Sequence, residues 1–204
     1  MTEIAVIVHS MAGSSARLAR AISEGAEGVE DTKVRLLRVP DPATSDADLA
    51  ANPRFGHLFT EHVAEIPVAT FEDLAQVDGI ILGCGTRFGG MSAPMRHFLE
   101  SASGLWMTGA LNGKVGGAFA TASTPHGGQE KTIHDLLTAL MHFGVVIVPP
   151  GYGDPIQHQA SSPYGAAARA GGPTGLVPTD DDLTAGRFLG RRVAETTGRL
   201  TLTL

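Results

Sequence analysis

Apolar and polar positions fall in repeating blocks along this chain. A short run of branched apolar residues comes first, then a small polar stretch, then apolar residues at helical spacing. Ile4–Val8 is the first such run, and it stops at His9-Ser10-Met11-Ala12-Gly13-Ser14-Ser15. Leu18, Ile22 and Ala26 then recur four apart and mark one face of a helix. Lys33–Val39 predicts a second strand, and Gly79–Gly83 a third, apolar throughout as in a buried parallel strand. Lys114–Thr121 and Val145–Val148 predict a fourth and a fifth. Between them, Thr70 with Asp73 three positions on reads as the start of a short helix. Met91–Ser103 reads as a helix ended by Gly104-Leu105-Trp106, and Gln129–Phe143 as one stopped by Gly144. A last helix starts at Thr179-Asp180-Asp181-Asp182 and runs to about Arg199.

Strands that alternate with helices predict an α/β domain: a doubly wound, five-stranded parallel sheet with helices on both faces. At 204 residues the chain suits one domain spanning 1–204, with no internal repeat. Two segments, about 41–67 and 149–178, have no place in such a sheet. The second is dense in Gly, Pro and Ala and reads as a long loop. Both are expected to make subunit contacts and to overhang a site.

Ligands of doubly wound sheets lie beyond the carboxyl ends of the strands. Three loops leave those ends: Ser10–Ser15, Thr86–Phe88 and Thr121–Gly128. All three offer hydroxyls and glycine-rich surroundings. The first opens a helix, where free N–H groups and the helix dipole favour a phosphate. Ser14 or Ser15 could instead do no more than cap that helix. No Gly-Lys-Ser/Thr follows the loop, so it is not a Walker loop, and it lacks the Gly-x-Gly-x-x-Gly dinucleotide fingerprint.

Composition narrows the field. The formal net charge is −6 and no basic run occurs, which argues against nucleic acid as a partner. The single cysteine, Cys84, cannot form an internal disulfide and reads as a small packing residue. No signal-like start and no long apolar run is present, so a soluble cytoplasmic protein without membrane partners is expected. The histidines, His57 and His62 among them, show no metal-ligand spacing, and no metal is expected.

The later motifs resemble a known family. Thr86-Arg87-Phe88-Gly89-Gly90-Met91-Ser92, Met95-Arg96, Gly104-Leu105-Trp106 and Gly109-Ala110-Leu111 are similar to the WrbA-type NAD(P)H:quinone oxidoreductases of the flavodoxin-like superfamily. So are Gly127-Gly128-Gln129-Glu130, His142 through Gly151-Tyr152, and Ser162-Pro163-Tyr164-Gly165-Ala166. The match covers nearly the whole chain.

The resemblance implies non-covalently bound FMN. It matches Ser10, Met11, Ala12, Gly13, Ser14 and Ser15 to the phosphate loop. Thr86, Arg87 and Phe88 match the segment along the flavin ring. Thr121, Ala122, Ser123, Thr124, Pro125, His126 and Gly127 match the loop on its other edge. His142 matches a histidine near the ring, with a catalytic as well as a cofactor-binding role. Trp106 matches an aromatic wall of the substrate pocket, also catalytic. In the family a neighbouring subunit of a homotetramer completes that pocket. Ala12 stands where the family usually has Tyr or Thr, a position tied there to nicotinamide access and hence to substrate binding. The Ala122–His126 loop is one residue longer than usual, and Cys84-Gly85 replaces a commoner Thr-Pro.

A flavin performs the redox step itself, while the protein holds it, tunes it and leaves one face open. The implied cycle is ping-pong: NAD(P)H delivers hydride to N5 of FMN, and a quinone then takes two electrons at the same face. Arg87 and the N–H groups of Thr86–Phe88 are placed to stabilise charge on the reduced flavin. Pairing of Arg87 with a surface carboxylate is the alternative. An FMN-binding electron carrier or redox-responsive scaffold without NAD(P)H–quinone activity is a second reading, which Ala12 favours. A flavodoxin-like shell without flavin is a third.

Overall fold

The computed structural model describes residues 1–171 and 175–201. Residues 172–174, part of the long segment 149–178, lie outside the described residues, as do 202–204. In chain order the elements are β1 (Thr2–His9), α1 (Ser14–Glu27), β2 (Thr32–Arg38), α2 (Asp46–Ala50), α3 (Gly56–His62), α4 (Phe71–Gln76) and β3 (Gly79–Gly85). Then come α5 (Ala93–Ser101), α6 (Ser103–Thr108), β4 (Val115–Ala122), α7 (Gln129–His142), β5 (Val146–Ile147), β6 (Ala166–Arg169) and α8 (Asp180–Thr201).

The sheet has the order β2-β1-β3-β4-β5, and all its pairings are parallel. Strand residues alternate between its two faces, as the period of two requires. Ala5, Ile7, Leu82 and Cys84 pack under Met95 and Leu99 of α5 and Ile133, Leu136 and Leu140 of α7. Val6, Val8, Ile81 and Phe119 pack under Leu18 and Ile22 of α1 and Leu189 and Val193 of α8. Helices α1 and α8 approach each other through glycine. A Cβ added at Gly190 would lie 1.9 Å from the carbonyl oxygen of Ile22.

The sheet departs from expectation at one edge. It has a sixth strand, β6, which comes from the segment read as loop. β5 pairs only with Val115–Gly116 of β4, and β6 pairs with Phe119–Ala122 further along the same strand. The fifth lane of the sheet is thus split between two short strands. Ala166-Ala167-Ala168 has little strand preference of its own, so pairing with the buried β4 backbone decides its conformation.

Two other elements differ from the sequence pattern. Residues 41–67 hold α2 and α3 around a small core of Leu49, Phe59, Val63 and Ile66, and Arg38 pins Asp46 at 2.5 Å. Trp106 does not end a helix but sits inside α6, which follows α5 almost at once. The start of α4 is as expected. The Thr70 N–H donates to Asp73 Oδ2 at 2.8 Å, and the Asp73 N–H donates back to Thr70 Oγ1 at 3.3 Å. No helix among the described residues is long and apolar enough to cross a membrane.

Parallel strands send their carboxyl ends to one rim, and α5 and α7 run back towards the other. The end of α7 therefore meets the start of β4, where the Gly113 N–H donates to the Gly144 carbonyl at 3.0 Å.

Candidate functional site

A cavity of about 710 Å³ opens at the carboxyl rim of the sheet, within the range that holds cofactor-sized molecules. The ends of β1, β3 and β4 bring Ser10, Met11, Ala12, Ser14 and Ser15, then Thr86 and Arg87, then Thr121, Ala122 and Ser123 to its wall. These are the three loops that the sequence singles out. Gly13 lies buried behind the first of them, at φ 80°. His62 of α3 packs so closely there that an added Cβ would come within 2.8 Å of its ring.

Gly13 precedes the first turn of α1, and among the described residues no side chain caps that helix. Ser15 instead faces Thr121, with 2.7 Å between the two hydroxyl oxygens. The first-turn N–H groups of α1 therefore remain available to an anion in the cavity. The second and third loops are tied together in the same way. The Thr86 N–H donates to the Thr121 carbonyl at 2.8 Å, and Thr86 Oγ1 lies 3.1 Å from Thr132 Oγ1.

Arg87 is exposed at the mouth of the cavity and contacts Met11 Sδ at 3.4 Å. Among the described residues no carboxylate pairs with it. Phe88 stands wholly in solvent at φ 49°, in a tight turn closed by two hydrogen bonds between Arg87 and Gly90. A bulky residue in the left-handed region is strained. Phe88 does not line the cavity of its own chain.

The tail of the third loop turns away as well. Thr124, Pro125, His126 and Gly127 do not line the cavity. Pro125 and His126 border a separate polar depression beside Ser161, Ser162 and Asp182. Gln129 Nε2 holds the loop by donating to the Thr124 carbonyl at 3.0 Å.

Trp106 and His142 are brought together, 6.0 Å between ring centroids and 12° apart in plane. Both are exposed; Trp106 lies in α6 and His142 is the last residue of α7, towards the rim opposite the cavity. Neither His142, matched by the resemblance to a histidine near the ring, nor Trp106, matched to a wall of the substrate pocket, lines the cavity of its own chain. Cys84 is fully buried in the sheet core, and burial pushes its thiol above the ordinary range.

Several wall residues escaped the sequence reading. His9 ends β1 with its side chain buried and its Nε2 without a partner among the described residues. Burial, helped by the charge of Arg87 and opposed by Asp41, lowers its pKa to about 4, so the ring is neutral at pH 7. Arg17, Arg54, Phe55, Leu58, His62, Leu176 and Val177 also line the cavity. Arg17 is legible only as an arginine in the first turns of α1, where a phosphate site gains from a cation. The α3 residues carry no signal, because their approach depends on the path of 41–67. The described wall contains three arginines, two histidines and no carboxylate. A phosphate-bearing aromatic molecule fits this chemistry: helix N–H groups and cations at the loop, Met11, Leu58 and Phe55 as apolar surface, and His9 Nε2 as a buried polar contact. Among the described residues no group of three or more His, Cys, Asp or Glu is placed to hold a metal ion.

The chain is similar to known proteins over most of its length. Residues 2–158 match the model of the family described as NADPH-dependent FMN reductase. The chain belongs to that family. It is 42% identical, over 98% of its length and 99% of the relative's, to a protein named NAD(P)H dehydrogenase (quinone) from Bradyrhizobium sp. (strain BTAi1 / ATCC BAA-1182). Proteins of the same name from Rhodopseudomonas palustris (strain TIE-1) and Methylocella silvestris are 41% and 42% identical over the same shares. Among solved structures, a flavodoxin, WrbA-like protein from Agrobacterium tumefaciens superposes with a TM-score of 0.70 at 22% identity, covering 98% of this chain and 99% of that one. The fold is flavodoxin-like, in keeping with the strand order 2-1-3-4-5.

Proposed function

We propose that the cavity holds FMN and that the protein oxidises NAD(P)H and reduces quinones. The observation that carries this reading is the convergence of Ser10–Ser15, Thr86–Arg87 and Thr121–Ser123 on one cavity whose described wall has no carboxylate. Relatives more than 40% identical over nearly the full chain carry the name NAD(P)H dehydrogenase (quinone), which supports the substrates.

Bound flavin would supply two-electron transfer between a nicotinamide and a quinone. The chain's own residues have simpler tasks. Backbone N–H groups after Gly13 would hold the phosphate, with Ser10 and Ser14 as hydroxyl donors. Arg87 lies free of carboxylates beside Thr86 and would stabilise negative charge on the reduced ring edge. His9 would offer a neutral ring nitrogen from inside the wall, without adding a charge at pH 7.

Phe88, Trp106 and His142 would act in trans. All three are exposed, and the last two lie at the far rim, so they can reach a cavity only in another copy of the chain. A homotetramer in which neighbouring copies complete each other's cavities accounts for an exposed tryptophan stacked on an exposed histidine. It also accounts for the exposure of Met107, Met141, Val146 and Tyr152.

The test is optical. FMN added to the purified protein should shift its visible spectrum on binding. NADH or NADPH should bleach the complex, and benzoquinone should restore it. Binding without bleaching would leave an electron carrier, and no binding would defeat the reading.

A further inference from the structure

The turn that carries Arg87 and Phe88 is held from outside by the start of α7. Gly128, Thr132 and Asp135 follow one another at helical spacing and meet the turn together. Gly128 presses on it so closely that an added Cβ would come within 2.8 Å of the Gly89 Cα. Thr132 meets Thr86, with 3.1 Å between the hydroxyl oxygens. Asp135 closes the far end. Its Oδ2 accepts the Met91 N–H at 3.2 Å, and a Cβ added at Gly90 would lie 3.1 Å from the same oxygen. Its Oδ1 accepts from Lys131 Nζ at 2.6 Å. Burial pushes the Asp135 carboxyl up, but Lys131, the Met91 N–H and the charge of Arg96 outweigh it and hold the group below the ordinary carboxylate range. The acceptor is therefore ionised at pH 7, and an ionised acceptor holds an N–H more strongly than a neutral one.

The turn needs such a hold. Phe88 stands in solvent at φ 49°, a conformation that persists in a bulky residue only where its neighbours impose it. The backbone N–H groups of Thr86, Arg87 and Gly90 are spent on the carbonyls of Thr121, Gly90 and Arg87. The Ser92 N–H ends at Cys84 Sγ, 3.4 Å away. What this loop brings to the cavity wall is thus the Arg87 guanidinium rather than the N–H groups of Thr86 and Arg87. Among the described residues, the Met91 N–H is the one N–H of the loop given to a charged group. Asp135 does not itself line the cavity. We propose that Asp135 is a positioning residue: by holding the Met91 N–H it fixes the Arg87–Gly90 turn, keeps the Arg87 guanidinium at the mouth of the cavity, and so sets the reduction potential of the flavin there. This deepens the reading that FMN fills the cavity and rests on it.

Two measurements on Asp135→Ala and Asp135→Asn test this, with Arg87→Ala as the reference for the second. Alanine suits the half-buried helix position, and melting temperatures check that each variant is folded. On the flavin-free protein, tryptic cleavage after Arg87 is followed by mass spectrometry. Loss of the charged acceptor should open the turn and speed that cut about tenfold or more in Asp135→Ala. On the FMN-loaded protein, the midpoint potential should fall in Asp135→Ala, as in Arg87→Ala, because a displaced cation no longer favours the negatively charged reduced ring. Asp135→Asn keeps an acceptor for the Met91 N–H and should restore most of both changes. A carboxylate that acted only through its own charge would give the opposite sign, with both variants raising the potential alike. That result overturns the proposal. So do wild-type behaviour in Asp135→Ala, either change without the other, an asparagine variant no better than the alanine one, and a potential indifferent to Arg87→Ala. If the wild-type protein takes up no flavin, the functional reading fails by itself, and the tryptic comparison still decides whether Asp135 holds the turn.

Discussion

The hydroxyls of Ser15 and Thr121 meet at 2.7 Å, although 106 positions separate them in the chain. One belongs to the first turn of α1 and the other to the end of β4, so the bond fastens the first loop of the cavity to the third. Both side chains are buried, and among the described residues neither hydroxyl has another partner. Ser15→Ala and Thr121→Val should each cost about 1 kcal/mol of stability. Chemical denaturation of the singles and the double should give a coupling energy of similar size. Additive losses would mean that the two hydroxyls do not depend on each other.

Gly13 answers to two constraints at once. Its φ of 80° suits glycine, and His62 leaves no room for a Cβ. Gly13→Ala should destabilise the fold by at least about 1–2 kcal/mol from the backbone alone. It should also weaken FMN binding, because relief of the clash must move the loop or α3. A variant with wild-type melting and wild-type FMN affinity would count against a tightly held loop.

His9 predicts a pH dependence. Its pKa is about 4 in the folded chain, against an ordinary value of 6.5. Between these values the unfolded chain binds a proton that the folded chain refuses, so stability rises with pH across that window. Acidification from pH 7 should therefore lose up to about 3 kcal/mol through this residue, most of it between about pH 6.5 and 4. His9→Asn should flatten that part of the stability curve. An unchanged curve would place the acid sensitivity elsewhere.

Trp106 is the only tryptophan, so intrinsic fluorescence reports on a single place. It is 53% exposed in the isolated chain. If a second copy's cavity receives it, emission should shift to the blue on assembly and be quenched by bound FMN. Dilution below the assembly range should reverse both effects. Emission typical of exposed tryptophan at every concentration, indifferent to FMN, would remove Trp106 from the site.

Gly190→Ala tests the contact between α1 and α8. The added methyl would fall on the Ile22 carbonyl, and backbone cannot move aside as a side chain can. The expected loss is about 3 kcal/mol, read as a fall in melting temperature.

The sheet was legible because its strands are apolar runs and its helices keep their spacing; Ile4–Val8 and Leu18-Ile22 need no tertiary context to be read. The three loops were legible because strand ends in such sheets share one rim, so hydroxyl-rich turns after β1, β3 and β4 had to converge. Arg54, Phe55 and His62 were not legible, since their approach to the cavity depends on how a stretch without clear period folds around Phe59 and Ile66. β6 was hidden for a related reason. Three alanines become a strand only because β4 offers them an unpaired backbone. The placement of Trp106 and His142 at the far rim follows from helix direction, which the motif resemblance does not encode.

The divided edge of the sheet carries a consequence of its own. β5 and β6 grip β4 at separate places, so the 18 residues between Ile147 and Ala166 hang from two independent anchors. Evolution can lengthen, shorten or redecorate that excursion without shifting the register of either anchor. The same division denies a stray strand from a neighbouring molecule any long, unbroken margin on which to polymerise.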